Sequence, residues 1–260
     1  MAGPKKVRLD RLLVDRGLVE SRTRAQALIM AGQVVVGENR VDKPGQLVPE
    51  DAPIRIRGQL PYVSRGALKL EKALDTFGID PTGLRCVDLG ASTGGFTDLL
   101  LQRGAAAVWA VDVGYGQLHE KLRRDPRVHV FERVNVRYAT LDHLNAEPFD
   151  LAVADLSFIS LSLVLPAIEA LVRDGGEMVL LVKPQFELGP RDVGKGGVVR
   201  DPAKRREAVR KVEAACRALG LEVVGAVDAP IQGPAGNQET LLYVRKPTRV
   251  ETPDSHISVS

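Results

Sequence analysis

The 260-residue sequence predicts an α/β protein: a doubly wound domain around a mostly parallel sheet, preceded by a small α+β unit. Three observations lead there. From residue 65 onward, apolar runs of strand length alternate with helical periodicity, the pattern of a sheet covered by helices on both faces. A glycine-rich turn, Asp-Leu-Gly-Ala-Ser-Thr-Gly-Gly-Phe over 88–96, stands between one such run and a helix. The first 58 residues break the alternation with two short helices and brief strand segments. The length suits one large domain and one small one.

In the first unit, over 5–58, residues 7–13 have helical spacing, and the helix ends near Gly17. Ser21 is the expected N-cap of a second helix through Ala25, Leu28 and Ile29, closed by Gly32. Residues 34–36, a Gly37-Glu38-Asn39 turn and Arg40-Val41 predict a hairpin. A further strand over 47–56 is interrupted by Pro49 and Pro53. Residues 59–63 read as a linker, and the second domain spans 64–246, opening on a helix over 65–77. Strands are expected at 85–89, 108–113, 128–132, 151–155, 178–183, 221–227 and 240–244. Residues 189–197 form a glycine-rich, basic loop expected to be mobile, and 247–260 a disordered tail.

Hydrophobic content of 44% with 27% charged residues is that of an ordinary globular chain. The net charge of +3 is unevenly placed: residues 1–60 hold 11 Lys/Arg against 7 Asp/Glu, and the remainder 25 against 26. The positive excess therefore lies in the first unit, as expected of a module that meets a polyanion. The two cysteines, Cys86 on a strand and Cys216 on a helix, lack metal-ligand spacing and read as reduced thiols of a cytoplasmic protein; no metal is expected. Lys5-Lys6 leads into no apolar export segment, and the most apolar stretch, 158–172, is short and contains Pro166 and Glu169.

The apolar pair Cys86-Val87 ends a strand, and the glycines that follow let the backbone turn and approach a ligand at a helix N-terminus. A tight structural turn is the alternative. Asp112, 24 residues after Asp88 at the tip of the next strand, favours a nucleoside-containing cofactor, because an acid there can bind two ribose hydroxyls. The spacing differs from the Gly-x-Gly-x-x-Gly suited to a pyrophosphate, so S-adenosylmethionine, which carries no phosphate, fits better. Asp155, Lys183 and Glu239 stand at strand ends and Lys69 on the first helix of the domain. Any one of them alone is more often a satisfied structural charge. A lysine directly after five apolar residues, 178–182, is harder to dismiss, since an unpaired buried ammonium is costly.

Arg-Leu-Asp-Arg-Leu-Leu (8–13), Ser-Arg-Thr-Arg-Ala-Gln-Ala-Leu-Ile (21–29) and Gly-Gln-Val-Val-Val (32–36) resemble the S4-like RNA-binding module. Val-Ser-Arg-Gly-Ala-Leu-Lys-Leu (63–70), the turn over 88–97, Asp-Val-Gly-Tyr-Gly-Gln-Leu (112–118), Ala-Asp-Leu-Ser-Phe-Ile-Ser (154–160), Val-Lys-Pro-Gln-Phe-Glu (182–187) and Gly-Pro-Ala-Gly-Asn-Gln-Glu (233–239) extend the likeness over residues 5–245. Jointly they resemble the TlyA family, which joins that module to an FtsJ-like ribose methyltransferase domain. The resemblance implies a Rossmann-like class I S-adenosylmethionine-dependent methyltransferase with a seven-stranded sheet. Its implied reaction is methyl transfer to a ribose 2′-hydroxyl of ribosomal RNA, usually at cytidine.

The resemblance further implies a catalytic Lys-Asp-Lys-Glu tetrad at Lys69, Asp155, Lys183 and Glu239. A 2′-hydroxyl is a poor nucleophile and must lose its proton as it attacks. Lys183 is the candidate base or oxyanion-stabilising cation, with the carboxylates orienting the lysines. For the cofactor, Gly90, Ala91, Ser92, Thr93, Gly94, Gly95 and Phe96 are expected around the methionine part, with Asp155 nearby. Asp112 is expected on the ribose and Asn135 near the adenine. Matched positions place Arg8, Arg22, Lys43, Arg65 and Arg133 on RNA phosphates. The linker reads Leu60-Pro61-Tyr62-Val63 where some members have Arg-x-Trp-Val, so coupling through it is not expected. The short tail lacks a helical pattern, which favours large-subunit over small-subunit RNA. The expected partner is ribosomal RNA or a ribosomal subunit, with no membrane and no obligate protein. Three other readings are weaker: a haemolysin-like membrane-active protein, a catalytically idle ribosome-assembly factor and a dehydrogenase.

Overall fold

The computed structural model describes residues 5–58 and 61–248, and the chain divides into two units between Pro61 and Tyr62. The expected tail from residue 249 and linker residues Gln59 and Leu60 lie outside the described residues.

The first unit holds β1 (Lys6–Arg8), α1 (Leu9–Asp15), α2 (Arg22–Met30), β2 (Val34–Val36), β3 (Asn39–Val41), β4 (Leu47–Pro49) and β5 (Ile54–Ile56). Helix α1 starts two residues later than its periodicity suggests, because Val7 is drawn into β1 opposite Val48. Ser21 caps α2 as expected, its hydroxyl accepting from the Arg24 amide at 3.2 Å. The hairpin β2–β3 also forms, with Val34 opposite Val41. The single strand expected over 47–56 is two: β4 pairs with β1, and β5 with β2. Proline lacks an N–H and cannot continue a ladder, so Pro49 and Pro53 separate the two pairings. Leu9, Leu12 and Leu13 of α1 pack with Ala25, Leu28 and Ile29 of α2 over Val34, Val41 and Val48.

The second unit runs α3 (Ala67–Phe77), β6 (Arg85–Leu89), α4 (Gly95–Gln102), β7 (Ala107–Asp112), α5 (Glu120–Arg123), β8 (Val128–Glu132), β9 (Phe149–Ala154), α6 (Leu161–Leu171), β10 (Val172–Val182), α7 (Pro184–Glu187), α8 (Pro202–Ala218), β11 (Glu222–Asp228) and β12 (Thr240–Arg245). The seven strands form one sheet in the order β11-β12-β10-β9-β6-β7-β8. Its five strands from β10 to β8 are parallel, and β12 runs antiparallel to both β10 and β11. Strand β10 begins at Val172, earlier than expected. Its polar start at 173–176 carries an irregularity in the register between Val172 and Glu177.

Both faces of the sheet are covered. Val87, Leu89, Ala152 and Ala154 pack with α6 and α8 on one face, while Cys86, Leu151 and Val153 pack with α3 and α4 on the other. Burial on both faces explains why these strands read as continuous apolar runs. Cys86 and Cys216 are free thiols in opposite layers, and burial pushes them up to about 12 and about 11.

Asp10 of the first unit is fully buried yet charged in character. Arg8 reaches both its oxygens at 3.0 Å, with Arg22 at 2.9 Å and Gln26 at 3.0 Å. The Arg8 hydrogen bonds first, then Gln26 and Arg22, hold its carboxyl well below the usual carboxylate range against the opposing effect of burial. A depressed folded value stabilises the fold above the unfolded value near ~3.9 and loses that contribution as pH falls. In Asp10→Asn, amides of α1 and α2 are expected to exchange about tenfold faster at neutral pH, a loss of about 1.4 kcal/mol, with the gap narrowing below about pH 4. Hydrogen-exchange measurements check this; equal protection at neutral pH would remove Asp10 from that role.

Candidate active site

Strand order decides where the charged residues meet. The chain leaves β6 towards β7 on one side and returns to β9 on the other, so a crevice opens at the carboxyl ends of β6 and β9. Asp155 follows β9 and Lys183 follows β10 at that same edge. Because β12 is antiparallel, its start lies there too: Val182 pairs with Thr240, placing Glu239 next to Lys183 along the edge. Lys69 arrives from the first turn of α3.

These four side chains converge as two ion pairs. Lys69 Nζ lies 2.5 Å from Glu239 Oε2, and Lys183 Nζ lies 2.5 Å from Asp155 Oδ1. Lys183 also donates to Ser157 Oγ at 2.9 Å. Lys69 is 6% exposed, Lys183 8% and Glu239 0%. All four line one cleft of about 790 Å³. Three of its lining residues, Asp88, Gln185 and Glu239, carry a buried oxygen with no partner among the described residues: Oδ1, Oε1 and Oε1 respectively. Buried acceptors left open at a cleft are suited to a ligand that brings N–H or O–H groups. Gly233 leaves room for one of them, since a Cβ there would stand 2.3 Å from Glu239 Oε1.

Gly90, Ala91, Ser92, Thr93, Gly95 and Phe96 line the cleft, and Gly94 caps α4 behind them. Gly90 has φ +86°, and a Cβ on it would meet the Asp155 carbonyl oxygen at 2.4 Å, so only glycine fits. Asp88, fully buried beneath this turn, accepts from the Thr97 amide at 2.9 Å and hydroxyl at 2.7 Å through Oδ2. Burial nevertheless raises its carboxyl to about 7. Asp112 ends β7 and accepts from the amides of Ser92 at 2.8 Å and Gly114 at 2.6 Å, which ties it to the glycine turn. A carboxylate retains acceptor capacity beyond two such bonds. Asn135 is outside the cleft lining; it is exposed, and its Oδ1 accepts from the Arg137 amide at 3.0 Å.

Among the expected RNA contacts, Arg65 is exposed at the cleft, and Arg133 lies over the Tyr115 ring at 4.4 Å. Arg8, Arg22 and Lys43 belong to the first unit; all three are exposed, and the two arginines hold Asp10. Four positions at or beside the cleft escape the sequence reading although they sit inside its motifs. Ser157 holds Lys183, and Gln185 and Gly233 line the cleft. Asn237, fully buried, accepts from the Val199 amide at 2.9 Å and donates to the Gly197 carbonyl at 2.8 Å, fastening the glycine-rich loop beside Glu239.

Known proteins agree with this architecture. A family profile described as FtsJ-like methyltransferase matches residues 62–246, and an S4 domain profile matches residues 7–54. The chain is 48% identical over 244 residues to the Bacillus subtilis protein named "Putative rRNA methyltransferase YqxC", covering 94% of this chain and 87% of that one. It is 47% identical over 246 residues to the Mycobacterium tuberculosis "16S/23S rRNA (cytidine-2'-O)-methyltransferase TlyA", covering 94% and 91%. Among solved structures, one described as "Putative hemolysin from Streptococcus thermophilus" superposes with a TM-score of 0.71 at 43% identity, over 98% of this chain and 94% of that one. The chain belongs to the TlyA family of FtsJ-like methyltransferases that carry an S4 domain.

Proposed function

We propose that this enzyme uses S-adenosylmethionine to methylate the 2′-hydroxyl of a cytidine ribose in ribosomal RNA. The observation that carries the proposal is the convergence of two buried ammonium groups, each paired with a carboxylate, on one cleft beside a glycine turn. The M. tuberculosis relative's name supplies the nucleoside and the bond. The name also includes both subunits' RNA; large-subunit RNA is the first target to test. An S4 domain at 7–54 supports an RNA substrate. The haemolysin wording belongs to the S. thermophilus protein. Among the described residues, no helix of this chain is long and apolar enough to cross a membrane.

S-adenosylmethionine fits the open acceptors and the side-chain-free approach at Gly90. When bound, it supplies a methyl group on a positively charged sulfur. Residues 90–96 would hold its methionine part, with Asp155 near, and Asp112 its ribose hydroxyls. Asn135, engaged at its own turn, is the weakest of these assignments. Lys183 has three N–H donors, and Asp155 and Ser157 accept two of them. The third position can steady the attacking 2′-oxygen while the ammonium is charged or, once its own proton has left to solvent, accept the hydroxyl proton as the methyl is transferred, so Lys183 serves as base or oxyanion-stabilising cation. Lys69, fixed by Glu239, adds positive charge on the same side. Arg65 and Arg133, with Arg8, Arg22 and Lys43 on the S4 domain, would meet phosphates.

Tritium transfer from labelled S-adenosylmethionine to ribosomal RNA, with ribose-methyl mapping, tests the reading. Lys183→Ala is expected to lower the rate by about 10²–10⁴-fold while retaining cofactor binding. Wild-type chain that lyses red cells but leaves RNA unmethylated would reverse the assignment.

Gly90→Ala is expected to weaken cofactor binding at least tenfold by calorimetry, because the added carbon meets backbone rather than a movable side chain. Unchanged affinity would take the turn out of the binding site.

Asp88, raised to about 7, stabilises the ligand-free fold fully below its unfolded value near ~3.9 and loses that contribution as pH climbs. Thermal melting across pH should therefore show wild type falling relative to Asp88→Asn from about pH 4 to 7, then running parallel. Parallel curves throughout would mean Asp88 stays ionised when buried.

A further inference from the structure

The active cleft does not end at its catalytic residues. Gln232 and Ala235 line both the cleft and an adjoining recess of about 350 Å³. Arg205 and Gln238 line that recess and also a groove of about 630 Å³ between α8 and the edge strand β11. Shared lining residues place the three spaces side by side.

Arginines mark the route. Arg200 lines the recess, Arg205 both spaces, and Arg206 and Arg210 the groove. Among the described residues none of these four guanidinium groups makes a side-chain hydrogen bond or ion pair. Elsewhere the chain pairs exposed arginines readily, as in Arg124 with Glu120 and Arg173 with Asp150. The carboxylates at the groove are otherwise engaged: Glu213 faces Arg217 at 3.5 Å, and Asp228 accepts from Thr240 Oγ1 at 2.9 Å. Lys204 is already held by Asp192 at 3.0 Å and Glu207 at 2.9 Å. Asp228 keeps its negative charge, but the four guanidinium groups outnumber it, so the route carries net positive charge.

We propose that this groove is a second RNA-binding surface, which takes the phosphate backbone of the nucleotides flanking the methylated ribose. The proposal rests on the methyltransferase reading: a polynucleotide whose target ribose enters the cleft must leave it, and this is a charged way out. Planar guanidinium forks suit phosphate oxygens, and contacts of this kind position a strand without reading its bases. An acidic protein surface is the competing occupant. Adjacency to the cleft and the row of guanidinium groups favour RNA.

The test uses the full chain, a short single-stranded RNA of mixed sequence, and the triple variant Arg205→Gln, Arg206→Gln, Arg210→Gln, which removes the charge and keeps a polar side chain. Affinity at several salt concentrations should fall at least tenfold, with the slope of log affinity against log salt flatter by about 2, as three lost phosphate contacts require. S-adenosylmethionine affinity, measured on the same variant, should stay within twofold. A Lys triple variant should restore most RNA binding and provides a second reading if the Gln variant folds poorly. Unchanged RNA affinity and slope would overturn the proposal. So would intact RNA binding with lost association to a protein-bearing ribosomal subunit, which would assign the groove to an acidic protein. Failure of the wild-type chain to methylate any ribosomal RNA would instead remove the functional reading, whatever the variants do.

Discussion

Two ammonium groups are buried at one end of the sheet, each held by a carboxylate, and the cleft of the second unit is built on those pairs. Lys69 with Glu239 and Lys183 with Asp155 meet across residues brought together by strand order. Such pairs are poor devices for stability, because apolar residues of similar volume are often as stable or more so. Removing one partner, however, leaves a lone buried charge at a cost of about 3–5 kcal/mol. Their presence is therefore better explained by chemistry at the cleft than by the needs of the fold.

The rest of the site follows from the same edge. Strands covered on both faces are rigid supports, so residues just past their ends are held while the backbone is free to turn. Gly90 turns against the Asp155 carbonyl, which couples the glycine turn to the residue that holds Lys183. Asn237 performs a similar service on the other side, where its amide bridges the loop at 197–199 to the segment leading into Glu239. The charged pairs are thus buttressed from two directions by backbone contacts.

How much of this the sequence discloses depends on the kind of interaction. A strand buried on both faces announces itself as an apolar run, and 85–89 is legible to the residue. Charges that terminate such runs are legible too, since apolar context makes Lys183 conspicuous. Their pairing is not: nothing local says that Lys69 takes a partner 170 residues away. Strand β1 is three residues long, largely charged, and defined only by its pairing with β4. The polar start of β10 is hidden for the same reason, because pairing of Val172 with Phe149 of β9 and backbone hydrogen bonds of Gly175 and Gly176 to Lys246, rather than side-chain pattern, hold it against the sheet. Asn237 and Ser157 are small polar residues in loops, where composition carries no signal about a specific partner.

The antiparallel course of β12 has a consequence for biosynthesis. A ribosome delivers Lys69 early and Glu239 near the end of the chain, so a nascent polypeptide halted before that last strand would have to desolvate a cation with no counter-ion. The counter-ion of Lys69 is therefore in place only once β12 has paired with β10.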